Sequence, residues 1–342
     1  MSPTPPSGLP PLPPAFTTAE ARTAGVPPQR LRRADLSTPL HGVRFRAESP
    51  GPSWADVGLA EPGHGWSGAV LAALLRRRGA AVLSHDTAAH LHGMPTPHAA
   101  APSSLVHVTL PPGQRLRREG VAPHRRDLPA HHVGAVHGLR ATTPERTWAD
   151  LCTRGAPWTP EDLIAAGDHL LARPWSRRGR REPASTPEGL AAVVEALGGV
   201  PGIDAARRAL AQVRVGSDSP LETRVRLDLI AAGLGEPILQ FRLDAADPQC
   251  PEVDLYYADG AVALEYDGAH HLAREQQARD ARRDRWLLAR GVAPLRVTVE
   301  DHREACRRLV EVILERRAAG HRIDPRAEST SQSGHDAPPA ES

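Results

Sequence analysis

Between residues 217 and 300 the spacing of apolar positions changes period several times, and each change marks an element. Val225, Leu229 and Ile230 fall on one helical stripe that opens after Ser219-Pro220 and stops at Gly233. Residues 238–243 then read as a strand. In the next run Val253, Leu255 and Tyr257 alternate with Asp254, and in the one after it Val262, Leu264 and Tyr266 alternate with Ala263, Glu265 and Asp267. Two alternating runs joined by Asp259-Gly260 predict an antiparallel hairpin. That pairing brings Asp254 toward Glu265 and sets Glu265 and Asp267 on one face. An arginine-rich helix over 274–290, a strand over 294–299 and an amphipathic helix over 302–317 through Ala305, Leu309, Val312 and Ile313 complete the segment.

Upstream the patterning is weaker. Residues 1–15 are rich in proline and serine and predict disorder. A threonine-capped helix closed by Gly25, a turn at Val26-Pro27-Pro28, a basic helix over 29–34 with Leu31 inward and a strand over 42–46 follow. This order is that of a small winged helix-turn-helix at 16–46, with Gln29, Arg30, Arg32 and Arg33 as candidate DNA contacts. Residues 47–64 read as a linker. A mixed α/β region over 66–185 begins with an apolar helix at 69–75, continues with a helix capped by Ser84, and has strand-like pieces at 106–110, 121–125 and 139–141. A helix starts at Thr143-Pro144, others are expected at 160–171 and 187–197, and a connector over 186–214 includes a last helix at 203–213. Residues 321–342 are polar and predict a disordered tail.

Composition changes this picture little. The chain has 342 residues and a net charge of +2, so a nucleic-acid surface has to be local rather than global. Lysine and asparagine are absent, a bias we read as genomic composition. Arginine nevertheless grips phosphate through two parallel donors. Cys152, Cys250 and Cys306 show neither a disulfide framework nor zinc spacing. With no membrane-length apolar run and no leader pattern, a cytoplasmic protein is expected. Histidines 85, 90, 92, 107, 124, 131, 132 and 137 are spread over helix, strand and loop, which favours structural or surface roles.

The chemistry concentrates in the acidic segment. Anions as close as Asp254, Glu265 and Asp267 raise one another's pKa unless a cation neutralises them, and a hard divalent ion such as Mg2+ or Mn2+ suits carboxylate oxygens. Glu222 reads either as the closing residue of a capping box begun by Ser219 or as a fourth acid directed at that ion.

Together these residues carry a resemblance. Ser219-Pro220-Leu221-Glu222, then Asp254, then Glu265-Tyr266-Asp267-Gly268 with His270 and His271, then the arginine-rich helix ending at Gly291 and the strand through Arg296, resemble the very-short-patch-repair-like (Vsr-like) branch of the PD-(D/E)XK nucleases. The resemblance implies a restriction-endonuclease-like mixed sheet over 215–320. It also implies a metal-dependent endonuclease in which a metal-activated water attacks a phosphodiester in line. Asp254 and Glu265 would be the metal ligands, Glu222 and Asp267 further acids, and His271 or His270 a base. Arg279, Arg283 and Arg296 would contact DNA. The chain departs from the family pattern at Val253, where a proline is usual, and at Asp267, which holds the lysine position. The amino-terminal module and the region over 66–185 are similar to AbiEi-type antitoxins. The expectation is therefore an α/β (α+β) multi-domain DNA-binding protein with an endonuclease-like domain, with a toxin partner or self-association open. The alternative is a catalytically silent regulator or antitoxin of a type IV toxin-antitoxin-like system.

Overall fold

The computed structural model describes residues 9–46, 53–97, 101–154, 157–176, 179–267, 274–298 and 302–324. It is mixed α/β, with ten helices and several sheets among the described residues. Two compact units emerge, Met1–Pro220 and Leu221–Ser342. No described helix is long and apolar enough to cross a membrane.

The first unit begins with β1 (Ala15–Thr17) and α1 (Thr18–Thr23). Thr17 and Glu20 form a capping box: the Thr17 hydroxyl accepts the Glu20 N–H at 3.0 Å and the Glu20 carboxylate accepts the Thr17 N–H at 2.6 Å. The second helix expected over 29–34 is instead a single 3-10 turn at Arg30–Arg32. So short a segment repays little of the cost of nucleating a helix, and Arg30 ties itself to Asp35 through two hydrogen bonds of 2.9 and 2.6 Å. The strand expected over 42–46 is β3 (Val43–Arg46), which lies between β1 and the two-residue β2 (Leu36–Ser37), and without a second helix the described residues here do not form the expected helix-turn-helix.

This small sheet does not stand alone. Ala15, Leu40 and Val43 enter the same apolar core as α2 (Gly68–Arg77), and Arg76 of that helix pairs with Glu20 at 2.6 Å and donates to the Ala15 carbonyl at 2.7 Å. The stretch read as a linker also contributes to the core. Trp54 is buried in it and donates its indole N–H to the Trp66 carbonyl at 3.1 Å.

A five-stranded sheet follows, in the order β6-β5-β4-β8-β7. Its strands are β4 (Val82–Leu83), β5 (Val106–Leu110), β6 (Val121–Arg125), β7 (Val133–Val136) and β8 (Leu139–Thr142), with α3 (His85–Leu91) after β4. The β5 and β6 strands pair in parallel, as do β4 and β8. Helices α4 (Pro144–Arg154), α5 (Pro160–Leu171), α6 (Pro187–Ala196) and α7 (Ile203–Leu210) form a helical layer, and β9 (Trp175–Ser176) pairs with β10 (Gly179–Arg180). Trp148 anchors that layer, fully buried, with its indole N–H on the Leu163 carbonyl at 2.8 Å. Gly167 permits the close approach of Val213, whose methyl would lie 2.4 Å from any added Cβ.

The second unit runs α8 (Pro220–Ala231), β11 (Ile238–Arg242), β12 (Glu252–Tyr257), β13 (Val262–Asp267), α9 (Arg274–Leu288), β14 (Ala293–Thr298) and α10 (His302–Ala318). Gly233 ends α8 at φ +87°, and the Leu234 N–H reaches back to the Leu229 carbonyl at 3.2 Å, the left-handed helix stop that the sequence predicts. The sheet order is β11-β12-β13-β14, antiparallel except for the parallel β13/β14 pair that the α9 crossover requires. One face packs on α8 and α10 through Leu255, Leu264, Val225, Leu229, Leu309 and Ile313. The other packs on α9 through Tyr256, Ala263 and Leu287.

Here the expected alternation fails at one place. Leu255 and Tyr257 face α8 and α10, but Val253 turns to the α9 side. The interruption sits at Asp254, whose register partner Gln240, between the Leu239↔Leu255 and Phe241↔Val253 pairs, has φ +44°. A non-glycine residue in the left-handed region breaks the pleat locally.

The first unit buries a full ion pair. Arg146 and Asp150, one helical turn apart on α4, meet at 2.9 Å, and the guanidinium also donates to His132 Nδ1 at 3.1 Å. Arg146→Ala would leave the Asp150 charge alone in the core, so it is expected to destabilise the protein by roughly 3–5 kcal/mol. The double change Arg146→Met with Asp150→Leu should recover most of that loss in urea titrations.

Candidate functional site

In the second unit the hairpin does bring the two principal acids together. The β12/β13 ladder ends at Leu255↔Leu264, and one residue beyond it the half-buried Asp254 takes over from the backbone: its Oδ2 accepts the Tyr266 N–H at 2.8 Å. Glu265 points to the α9 face and is 9% exposed. Both of its oxygens meet guanidiniums, Oε1 with Arg283 of α9 at 2.6 Å and Oε2 with Arg296 of β14 at 3.8 Å. Arg283 also donates to the Glu252 carbonyl at 2.6 Å, and Arg296 to Asp284 at 2.9 Å. Burial pushes Glu265 up to about 7 despite Arg283, with the nearby Asp254 charge adding to the rise and Arg296 opposing it.

The donor set bears on a divalent ion. Asp254 spends one oxygen on the backbone, and Glu265 is enclosed by two cations that cannot be deprotonated. Among the described residues no group of three or more His, Cys, Asp or Glu side chains is placed to hold a metal. In this state the described donors do not fit Mg2+ or Mn2+, because Arg283 and Arg296 stand where such an ion would balance Glu265. Glu222 is buried in the first turn of α8. Asp267 closes β13, but its side chain and that of Arg279 lie outside the described residues, as do His270 and His271. Two arginines expected to meet DNA, Arg283 and Arg296, are therefore counterions of the protein's own carboxylate.

At the amino-terminal candidates the charges are differently disposed. Arg30 is held by Asp35, whereas Gln29, Arg32 and Arg33 are exposed and make no side-chain hydrogen bond or salt bridge with a described residue. Exposed guanidiniums on a turn beside a small sheet can meet phosphate without breaking an existing pair.

The histidines gather more closely than the sequence suggests. Neighbouring parallel strands put His107 of β5 and His124 of β6 on one side of the sheet, with His107 Nδ1 and His124 Nε2 3.0 Å apart. His85, at the first position of α3, stacks on His124 with ring centroids 3.6 Å apart and planes 12° apart. His85 sits at φ +50°, an uncommon setting for a side chain of this size, and its Nδ1 lies 3.0 Å from the Ser84 hydroxyl. Ser84 thus serves the imidazoles and Thr109 rather than capping α3 with its side chain.

Asp86 completes the group. Its carboxylate pairs with Arg154, accepts the Trp158 indole N–H at 3.2 Å and lies 3.6 Å from His107 Nε2. Desolvation lowers the pKa of His85, His107 and His124, the last to about 4, so the three rings are neutral at pH 7. Period-two alternation along residues 106–110 and 121–125 was the signal for this convergence. Sequence order hides which strands are neighbours.

The two sites have opposite pH signatures. Glu265 binds its proton more tightly folded than unfolded, so its contribution is full below about 4.5 and lost as the pH rises through 7. Relative to Glu265→Gln, the wild-type chain should lose up to roughly 3 kcal/mol over that interval. His124 binds its proton less tightly folded. Its contribution is full above 6.5 and lost as the pH falls toward 4, so His124→Phe should flatten the acid limb. Urea titrations of each variant against pH measure both slopes.

No curated protein matches the chain. Residues 79–174 match the family model described as the AbiEi antitoxin C-terminal domain, a stretch that contains the five-stranded sheet, α3, α4, α5 and the whole imidazole group.

Proposed function

We propose that the chain is a DNA-binding regulator of the antitoxin type, in which the second unit is a catalytically silent platform. The match over residues 79–174 carries this reading. The exposed Gln29, Arg32 and Arg33 support it, since they offer donors for backbone phosphates beside the small sheet of β1, β3 and β2. The guanidinium pair on Glu265 supports the silent platform, because Arg283 and Arg296 already bring the positive charge that a metal ion would otherwise supply there. On this reading the partners are DNA and a toxin protein of a type IV-like system.

A second reading has its own observation. The order α8-β11-β12-β13-α9-β14, with one parallel pair and with Asp254 and Glu265 adjacent, is the arrangement expected of a restriction-endonuclease-like domain. On that reading Mg2+ or Mn2+ displaces Arg283 from Glu265, and Arg283 moves to a DNA phosphate.

One experiment separates them. In gel shifts with the upstream region of its own coding sequence, the wild-type chain should bind, and Arg32→Ala with Arg33→Ala should weaken binding about tenfold or more and reduce its salt dependence. Asp254→Ala and Glu265→Ala should bind as wild type does, and no protein should cut plasmid in Mg2+ or Mn2+. Cleavage by wild type that both acid variants abolish would establish the endonuclease reading in place of the silent one.

A further inference from the structure

The first unit contains a cavity of about 190 Å³ between the loop over residues 60–65 and α3, separate from the acidic site and sharing only Asp86 and Trp158 with the imidazole group. Gly63 fixes the loop in place. Its backbone lies so close to the neighbouring segment that a Cβ would be 2.5 Å from the Pro102 carbonyl oxygen and 2.7 Å from that of Ser103. The stretch bearing Glu61 is therefore held beside the stretch bearing Leu105, and both residues line the cavity.

The charges on this wall are of one sign. Two carboxylates line it, those of Glu61 and Asp86, and among the described residues no arginine does. Asp86 is already balanced by Arg154 and also accepts the Trp158 indole N–H at 3.2 Å. Glu61 is exposed and has neither an ion pair nor a hydrogen bond among the described residues. His64 and His90, also on the wall, add no positive charge at pH 7, since desolvation takes His64 down to about 4 and lowers His90 as well. Backbone donors are scarce too, because Pro62, Pro95, Pro97 and Pro102 have no N–H to offer. Ala89, Met94 and Leu105 supply apolar surface.

We infer that this cavity binds a small organic ammonium, its apolar body against Met94 and Leu105 and its charge beside the Glu61 carboxylate. Such a cation gains from Glu61 without separating an existing ion pair, whereas an anion meets that carboxylate and finds no free cation on the wall. A single positive charge is the match, because Asp86 is committed to Arg154. The volume limits the body: a cavity of roughly 150 Å³ takes benzene, so this one takes a six-membered ring with a one-carbon arm. The apolar body supplies most of the affinity. The carboxylate supplies selectivity, since an ion pair open to solvent is worth only a few-fold in binding.

The test titrates the full chain at pH 7 and low salt with benzylammonium, benzyl alcohol and benzoate, and follows the indole N–H resonance of Trp158 by NMR. Benzylammonium should shift that resonance saturably and bind at least about threefold more tightly than benzyl alcohol, with benzoate weakest. Glu61→Gln, an exposed change that spares the core, should remove the preference for the cation and leave benzyl alcohol unchanged. Leu105→Ala, at a side chain 39% exposed, should weaken benzylammonium and benzyl alcohol alike. The inference is overturned by the absence of a saturable Trp158 shift, by equal or tighter binding of benzyl alcohol or benzoate, or by either variant, folded by circular dichroism, binding benzylammonium as wild type does.

Discussion

An arginine does not shed its charge inside a protein, so each guanidinium taken below the surface must find oxygens for its five donors. With no lysine in the chain, every permanent side-chain cation is of this kind, and the fold is tied together accordingly. Arg76 fastens the small amino-terminal sheet to α2 through a carboxylate and a carbonyl. Arg140 gathers the Gly79 and Ala81 carbonyls that lead into β4. In the second unit Arg316 donates to the Gly260 and Gly291 carbonyls, both at 2.6 Å, and so joins the β12/β13 turn to the end of α9. Arg226, almost wholly buried, meets Glu236 at 2.9 Å. These groups act as clamps on loop carbonyls as much as ion-pair partners, and loops of the lengths seen here would otherwise leave those carbonyls poorly satisfied.

The same constraint shapes the acidic site. A carboxylate as buried as Glu265 either keeps its proton, as it does below about pH 7, or needs a cation, and two kinds can serve: a divalent ion, or guanidiniums from neighbouring elements. The chain supplies the second kind, from α9 and β14, which the α9 crossover places side by side against β13. A site balanced in this way is stable at rest but committed, since any competing ligand must separate Arg283 from Glu265 before it gains an oxygen.

How much of this was legible depended on the range of the interaction. The second unit reads almost strand for strand from its alternation, because β12 and β13 are joined by a tight turn and their register is set locally. The helices at 160–171 and 187–197 were equally plain, since Thr159 and Thr186 cap them and a proline follows each. Elsewhere local signals misled. Residues 29–34 have helical composition but room for only one turn, and Val253 alternates on paper while Gln240 breaks the pleat beside it. Strand β7, with Gly134 and Ala135 at its centre, has little strand propensity and exists because β8 pairs with it. The counterions of Glu265 were out of reach in another way: Arg283 and Arg296 were visible as charges, but only the fold shows that they meet Glu265.

Histidine answers burial in the opposite manner to arginine. It gives up its proton, becomes a neutral ring with one donor and one acceptor, and can then be stacked, as His85 and His124 are, or buried with one ring nitrogen that has no hydrogen-bond partner among the described residues, as His64 and His90 are. A neutral unpartnered edge costs far less than a stranded charge, so a fold can keep one in its interior, where a bare guanidinium would force rearrangement.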